Sequence, residues 1–142
     1  MNNLIKILIT LFFSVSLYAE TVSVMTFNVE NLFDNRNDAY KTDETYLEFS
    51  KKQTPIHIKN CEKISTKRWR DDCLYIDWTD EVIEHKLNSI ASVILSYGSN
   101  GPDIIGLQEV ENKRILKQLF KKLDGAGSVS YTHLTLPTTT IV

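Results

Sequence analysis

A stripe of apolar residues at helical spacing, Ile83, Leu87, Ile90, Ile94 and Tyr97, lies between two short strand-forming runs, VSVMTF ahead of Asn28 and DIIGL ahead of Gln108. The helical period and the alternating period of a strand are incompatible in one element, so the order strand, helix, strand constrains the fold more than any other feature. It predicts an α/β layered domain. On Val22 to Val29, Val22, Val24, Thr26 and Asn28 share one face, and Ser23, Met25, Phe27 and Val29 share the other. Both faces are largely apolar, which predicts a strand buried on both sides. Thr79 caps the helix, Asp80 and Glu81 suit its positive end, and Gly98 closes it after about 19 residues. SNGPD is a turn, Asp103 to Leu107 a short strand, and Asn112 the cap of a second helix. Ile115, Leu116, Leu119, Phe120 and Leu123 line one side of that helix, and DGAG ends it.

The two ends of the chain differ from this middle. MNNLIKILITLFFSVSLYAE runs from Lys6 through an apolar stretch to the small residue Ala19, the order of a secretory signal peptide over residues 1–19. A membrane anchor is the alternative, but an apolar run of about 14 residues is short of the ~20 that span a bilayer. Export predicts a periplasmic or secreted protein with no stable membrane association once the leader is removed. At the other end, SVSYTHLTLPTTTIV is Thr-rich and uncharged, and resembles a translated adapter sequence; residues 128–142 with His133 are expected to be a non-native tail, a Thr-rich hairpin being the alternative. The expected domain is therefore residues 20–127.

Between the first strand and the helix, residues 35–78 form an insertion in which periodicity fades and charges segregate. Asp34 to Glu48 is acidic; Lys51 to Arg70 carries Lys51, Lys52, Lys59, Lys63, Lys67, Arg68 and Arg70 against Glu62. A basic patch suits a phosphate backbone, but a solvated loop balanced by Asp71, Asp72 and Asp77 explains the same run and is preferred. Cys61 and Cys73 are the only cysteines, and in an oxidising compartment an even pair predicts a disulfide, with free thiols as the alternative. Two thiols without a second Cys or His pair make no zinc site.

Asn28 and Glu109 each stand where an apolar strand ends, and strand ends in layered α/β domains open onto crevices where ligands bind. On neighbouring strands they would meet at one rim and offer oxygen donors alone, the set that hard cations such as Mg²⁺ select. Each also has a plainer reading: Asn28 as a turn residue, Glu109 as a charge near a helix start. Glu30 and Glu111 are weaker candidates, and Gln108 and Asn31 orient neighbours. His85 lies off the helix stripe and is expected at the surface.

TFNVENL and PDIIGLQEVEN together resemble the first two motifs of the endonuclease/exonuclease/phosphatase superfamily, which includes deoxyribonucleases, abasic-site endonucleases, sphingomyelinases and inositol-phosphate phosphatases. The resemblance covers Val22 to Val110, and the insertion resembles that of secreted bacterial members. It implies the N-terminal part of a four-layered α/β sandwich, two β-sheets flanked by helices, truncated here. It implies that Glu109 binds a catalytic divalent metal, Mg²⁺ with Mn²⁺ or Ca²⁺ as alternatives, and that Asn28 helps hold the metal or orient the phosphate and attacking water. Glu30 corresponds to a further acid that reaches the metal through water in some members. The implied activity is hydrolysis of phosphodiesters by a secreted nuclease acting on nucleic acid. A phosphomonoester or phospholipid head-group substrate is the alternative, as is a catalytically incomplete fragment. The family's later Asp-x-Asn motif and Asp-His pair do not occur in this sequence, and His57, His85 and His133 lie in no such motif. The chain thus reads as the first half of an enzyme.

Overall fold

A computed structural model describes residues 20–123. The expected leader over residues 1–19, the DGAG stop and the expected tail with His133 lie outside the described residues. Within them the chain is mixed α/β. Strand β1 (Val24–Leu32) is followed by short 3₁₀ turns at Glu44–Tyr46 and Phe49–Lys52, then by helices α1 (Pro55–Glu62), α2 (Lys67–Tyr75) and α3 (Asp80–Leu95). Strand β2 (Ile104–Val110) and helix α4 (Lys113–Lys122) complete the order.

The two strands pair in parallel, Val24 opposite Ile104 and Asn28 opposite Gln108. Their register is pinned at the start by Ser23, whose N–H and hydroxyl both donate to Asp103 Oδ2 (2.7 and 2.6 Å), while the Asp103 N–H donates back to Ser23 Oγ (3.0 Å). These bonds hold the Asp103 carboxyl below the usual carboxylate range. Met25, Phe27, Val29, Ile105 and Leu107 turn toward α3 and α4 and join a core with Ile83, Leu87, Ile90, Ala91, Ile94, Ile115, Leu119 and Leu123.

Helix α3 forms as its sequence predicts. Thr79 Oγ1 accepts from the Val82 N–H (3.4 Å), and Ile83, Leu87, Ile90 and Ile94 are buried. It stops two residues short of the expected end: Ser96 is its cap and Tyr97 is 50% exposed. The Tyr97 carbonyl instead accepts from Gly101 N (2.9 Å) in the turn that Gly98, at φ 63°, makes possible. Asn112 caps α4, its Oδ1 accepting from the N–H groups of Arg114 and Ile115 (2.8 and 3.1 Å).

Two expectations need correction. β1 is buried on one face only: Val24 is 64% exposed and Ile104 on β2 is 54% exposed. The helices cover the opposite face, and among the described residues nothing covers this one. The insertion is not an irregular loop. Thr54 caps α1 ahead of Pro55, and the Cys61–Cys73 disulfide joins α1 to α2 with Cα atoms 5.7 Å apart. Phe33 and Tyr46 stack at 4.1 Å, Tyr46 meets Trp78 edge-on at 5.2 Å, and Trp78 Nε1 donates to the Phe33 carbonyl (3.0 Å). This aromatic column fastens the insertion to the end of β1.

Candidate functional site

Alternation along β1 sends Met25, Phe27 and Val29 inward, so Asn31 would be next; along β2, Ile105 and Leu107 would be followed by Glu109. Neither occurs. Glu30 and Asn31 take left-handed backbone (φ 51° and 62°), as does Glu109 (φ 62°), and pairing resumes only at Leu32 opposite Val110. The bulge lies on β1, where Val29, Glu30 and Asn31 stand against the single residue Glu109, and the two strands return to the core with buried Leu32 and half-buried Val110. An extra residue in a strand re-aims the side chains beside it, and the physical effect here is to put an amide and a carboxylate on the same rim.

Asn28 Nδ2 donates to Glu109 Oε1 (2.7 Å), and the Asn31 N–H donates to Glu109 Oε2 (3.1 Å). Asn28 Oδ1 accepts from the Glu30 N–H (2.8 Å), which locks the amide's orientation. The bulge therefore grips both oxygens of one carboxylate. Non-glycine residues with left-handed backbone cost on the order of 1–3 kcal/mol each and concentrate at functional sites. Glu30, a candidate ligand from sequence, contributes backbone contacts; its exposed side chain hydrogen-bonds none of the other described site residues. Gln108 pairs with Asn28 in the ladder and points to the exposed face.

Two residues that sequence reading passed over belong to this site. Lys86 on α3 donates to the Glu30 carbonyl (2.7 Å) and lies 5.9 Å from the centre of the Trp78 ring. Burial lowers its pKa, while the negative charges of Glu30 and Glu109 oppose that shift. Tyr46 comes from the insertion, and burial raises its phenol pKa, with Asp72 and Glu109 adding to the effect. Position offered a signal for Lys86, which falls one turn beyond Ile83 and beside Leu87, at the margin of the apolar stripe. Tyr46 carried none.

The donor set fits a hard cation. Glu109 is exposed and each of its oxygens accepts a single hydrogen bond, leaving lone pairs free, and Asn28 Oδ1 lies beside it. Among the described residues neither histidine joins it. His57 is buried beside the disulfide, its Nε2 3.1 Å from the Cys73 carbonyl, and His85 is exposed on α3 without a hydrogen bond to Asn28 or Glu109. The basic stretch is largely spent within the insertion. Lys52 is 1% exposed and donates to the carbonyls of Thr45 and Ile76; Lys51 pairs with Glu48, Lys67 with Asp71, and Arg70 donates to the Ile64 carbonyl.

Beneath the bulge lies a second polar group, built from Asp34, Asp38, Asp43, Glu111, Asn112 and Arg114. Burial raises the Asp34 pKa, but Arg114, the Arg36 N–H and Asn112 outweigh it and hold the carboxyl below its ordinary value. Burial, joined by the facing carboxylates of Asp34 and Asp43, pushes Glu111 up to about 8 against the hydrogen bond from the Asp34 N–H.

No curated protein and no solved structure gives a significant match to the chain. A family model does match, over residues 73–137, a stretch that begins beyond Asn28 and contains α3, β2, Glu109 and α4. Its members are phosphoesterase-type hydrolases that generally depend on a divalent metal. That match, to the endonuclease/exonuclease/phosphatase family, supports the superfamily that the two motifs resemble.

Proposed function

We propose that Asn28 and Glu109 form part of the metal site of an exported phosphodiesterase, with nucleic acid as its substrate. The observation that carries this reading is the carboxylate of Glu109 held on both oxygens by Asn28 and the Asn31 N–H at a rim where two parallel strands end. Glu109 would hold a divalent cation, Mg²⁺ first and Mn²⁺ or Ca²⁺ as alternatives, with Asn28 Oδ1 at its side. Such a cation supplies Lewis acidity toward a phosphoryl oxygen and offsets charge in the transition state. Asn28 fixes the carboxylate's rotamer, and Lys86 holds the bulge through the Glu30 carbonyl, so the donors are arranged before substrate arrives. In this reading the general base and the remaining ligands belong to a longer form of the protein, and residues 1–142 alone are inactive.

The test is hydrolysis of DNA, RNA, a phospholipid and a sugar phosphate by the full-length protein, with and without chelator. Activity on nucleic acid that falls by at least about 100-fold in Glu109→Gln and disappears with chelator is expected, since removing a charged transition-state contact costs about 10²–10³ in rate. Activity that survives both overturns the metal assignment. Preferential turnover of the lipid or the monoester replaces the substrate assignment and leaves the site intact.

A further inference from the structure

The acidic group beneath the bulge is packed more tightly than the rim and has a different pattern of unmet demand. Asp34 is fully engaged: Arg114 Nε and Nη2 donate to it (2.7 and 3.2 Å), as do the Arg36 N–H (3.0 Å) and Asn112 Nδ2 (3.4 Å). Asp38 accepts from Arg114 Nη2 (2.7 Å) and Asn112 Nδ2 (3.2 Å), and its N–H donates to Asp43 Oδ2 (2.9 Å). Glu111 Oε2 accepts from the Asp34 N–H (2.9 Å). Two oxygens are left over. Asp43 Oδ1 and Glu111 Oε1 are sealed from solvent with no N–H or hydroxyl donor to meet them, so only a proton or an ion held between the two carboxyls would satisfy both, and Asp43 is only 3% exposed.

A buried acceptor left without a partner costs roughly 1–3 kcal/mol, more when charged, so two in one place call for a ligand. Asp38, Asp43 and Glu111 each offer a carboxylate oxygen, and these atoms lie within 4.8 Å of one another. Among the described residues Arg114 donates to the group, and it is committed to Asp34 and Asp38. A proton shared between the two orphaned oxygens would leave two of the four carboxylate charges unbalanced after Arg114; a divalent cation would leave one.

We propose that Asp38, Asp43 and Glu111 form a second cation site that takes a hard divalent ion, Ca²⁺ or Mg²⁺, and ties the start of the insertion to the segment between β2 and α4. The ligands are all oxygens, which excludes softer ions that seek nitrogen or sulfur. The site is separate from the rim: Glu109 is exposed and held by Asn28, whereas Glu111 is held by the Asp34 N–H, with core-facing Val110 between them. Its role is structural, because it joins two segments far apart in sequence around Asp43, which is only 3% exposed.

The experiment is calorimetric titration of Ca²⁺, then Mg²⁺, into the metal-free full chain carrying Glu109→Gln, with circular dichroism to check folding. One ion per chain is expected, with a higher melting temperature in its presence. Adding Asp43→Asn, or Asp38→Asn if the former does not fold, should weaken that binding at least tenfold. Lack of uptake at millimolar Ca²⁺ and Mg²⁺ by folded Glu109→Gln overturns the proposal in favour of the shared proton. So does uptake unchanged by a folded Asp38→Asn or Asp43→Asn. The rim assignment fails by a different sign: wild type and Glu109→Gln would then bind the same number of ions.

Discussion

At Glu30 the left-handed backbone (φ 51°) supports a carbonyl that accepts from Lys86 and an N–H that orients Asn28, while the side chain is exposed. The fold needs only the backbone there. Glycine pays no steric cost at this φ, and a β-branched residue pays the most. Glu30→Gly should therefore melt at or above wild type and Glu30→Val should lose about 1–2 kcal/mol, as read by chemical denaturation. Lys52 makes a second residue-scale case. Burial holds its pKa down at about 8 against an ordinary 10.5, even with Asp77 and Asp72 nearby. Below pH 8 the folded and unfolded chains both keep the proton; between about 8 and 10.5 the unfolded chain keeps it and the folded chain has released it. Raising pH through that window therefore favours folding. Wild type should gain up to about 1.4 kcal/mol per pH unit there relative to Lys52→Met, measured by denaturant titration at a series of pH values. A difference that is flat or falls with pH would show that the ammonium is not desolvated as its burial implies.

The elements divide by how local their causes are. Helices α3 and α4 were legible because cap, dipole and stripe all lie within the helix; Thr79→Ala should cost about 1 kcal/mol for the same local reason. Helix α1 starts at a Thr54–Pro55 cap that the sequence reading passed over; few apolar positions follow it, so its formation depends on the disulfide and on α2. Removing the disulfide by Cys61→Ser with Cys73→Ser, across a separation of 12 residues, should cost roughly 3 kcal/mol in the chain-entropy account and should loosen the insertion before the sheet. Hydrogen exchange would separate the two regions. The strands were read as ending at Val29 and Leu107 because polar residues follow. They continue to Leu32 and Val110 because a bulge in β1 lets the polar residues step out and the apolar ones step back, a device that period-two alternation cannot express. The buried face also could not be chosen from residue type, since Val24 and Met25 are both apolar and only the helices decide between them. Leu32→Ala should thus cost about 2–5 kcal/mol, while Val24→Thr on the open face should change stability by less than about 0.5 kcal/mol.

At the scale of the whole molecule, the pairing of Asn28 with Glu109 was legible as chemistry before it was visible as geometry, because two like motifs implied two like strand ends. The contributions of Lys86 and Tyr46 were not, since they depend on how α3 and the insertion pack around that rim. The acidic group under the bulge likewise joins Asp34, Asp38 and Asp43 to Glu111 and Arg114 across most of the chain, and no local spacing announces it. That same span has a kinetic meaning. The Asn28–Glu109 bond closes a sequence separation of 81 residues, and the Ser23–Asp103 bonds close one of 80. The helices and the disulfide-linked pair α1–α2 can form from neighbours, but among the described residues β1 has no partner strand until β2 is present. Contacts of such high sequence separation must meet the entropy of loop closure before they are rewarded. The rim should consequently be among the last parts to gain protection during refolding, after α3 and after the disulfide loop. A chain that has acquired most of its helical content would still lack the carboxylate grip that the proposed chemistry needs.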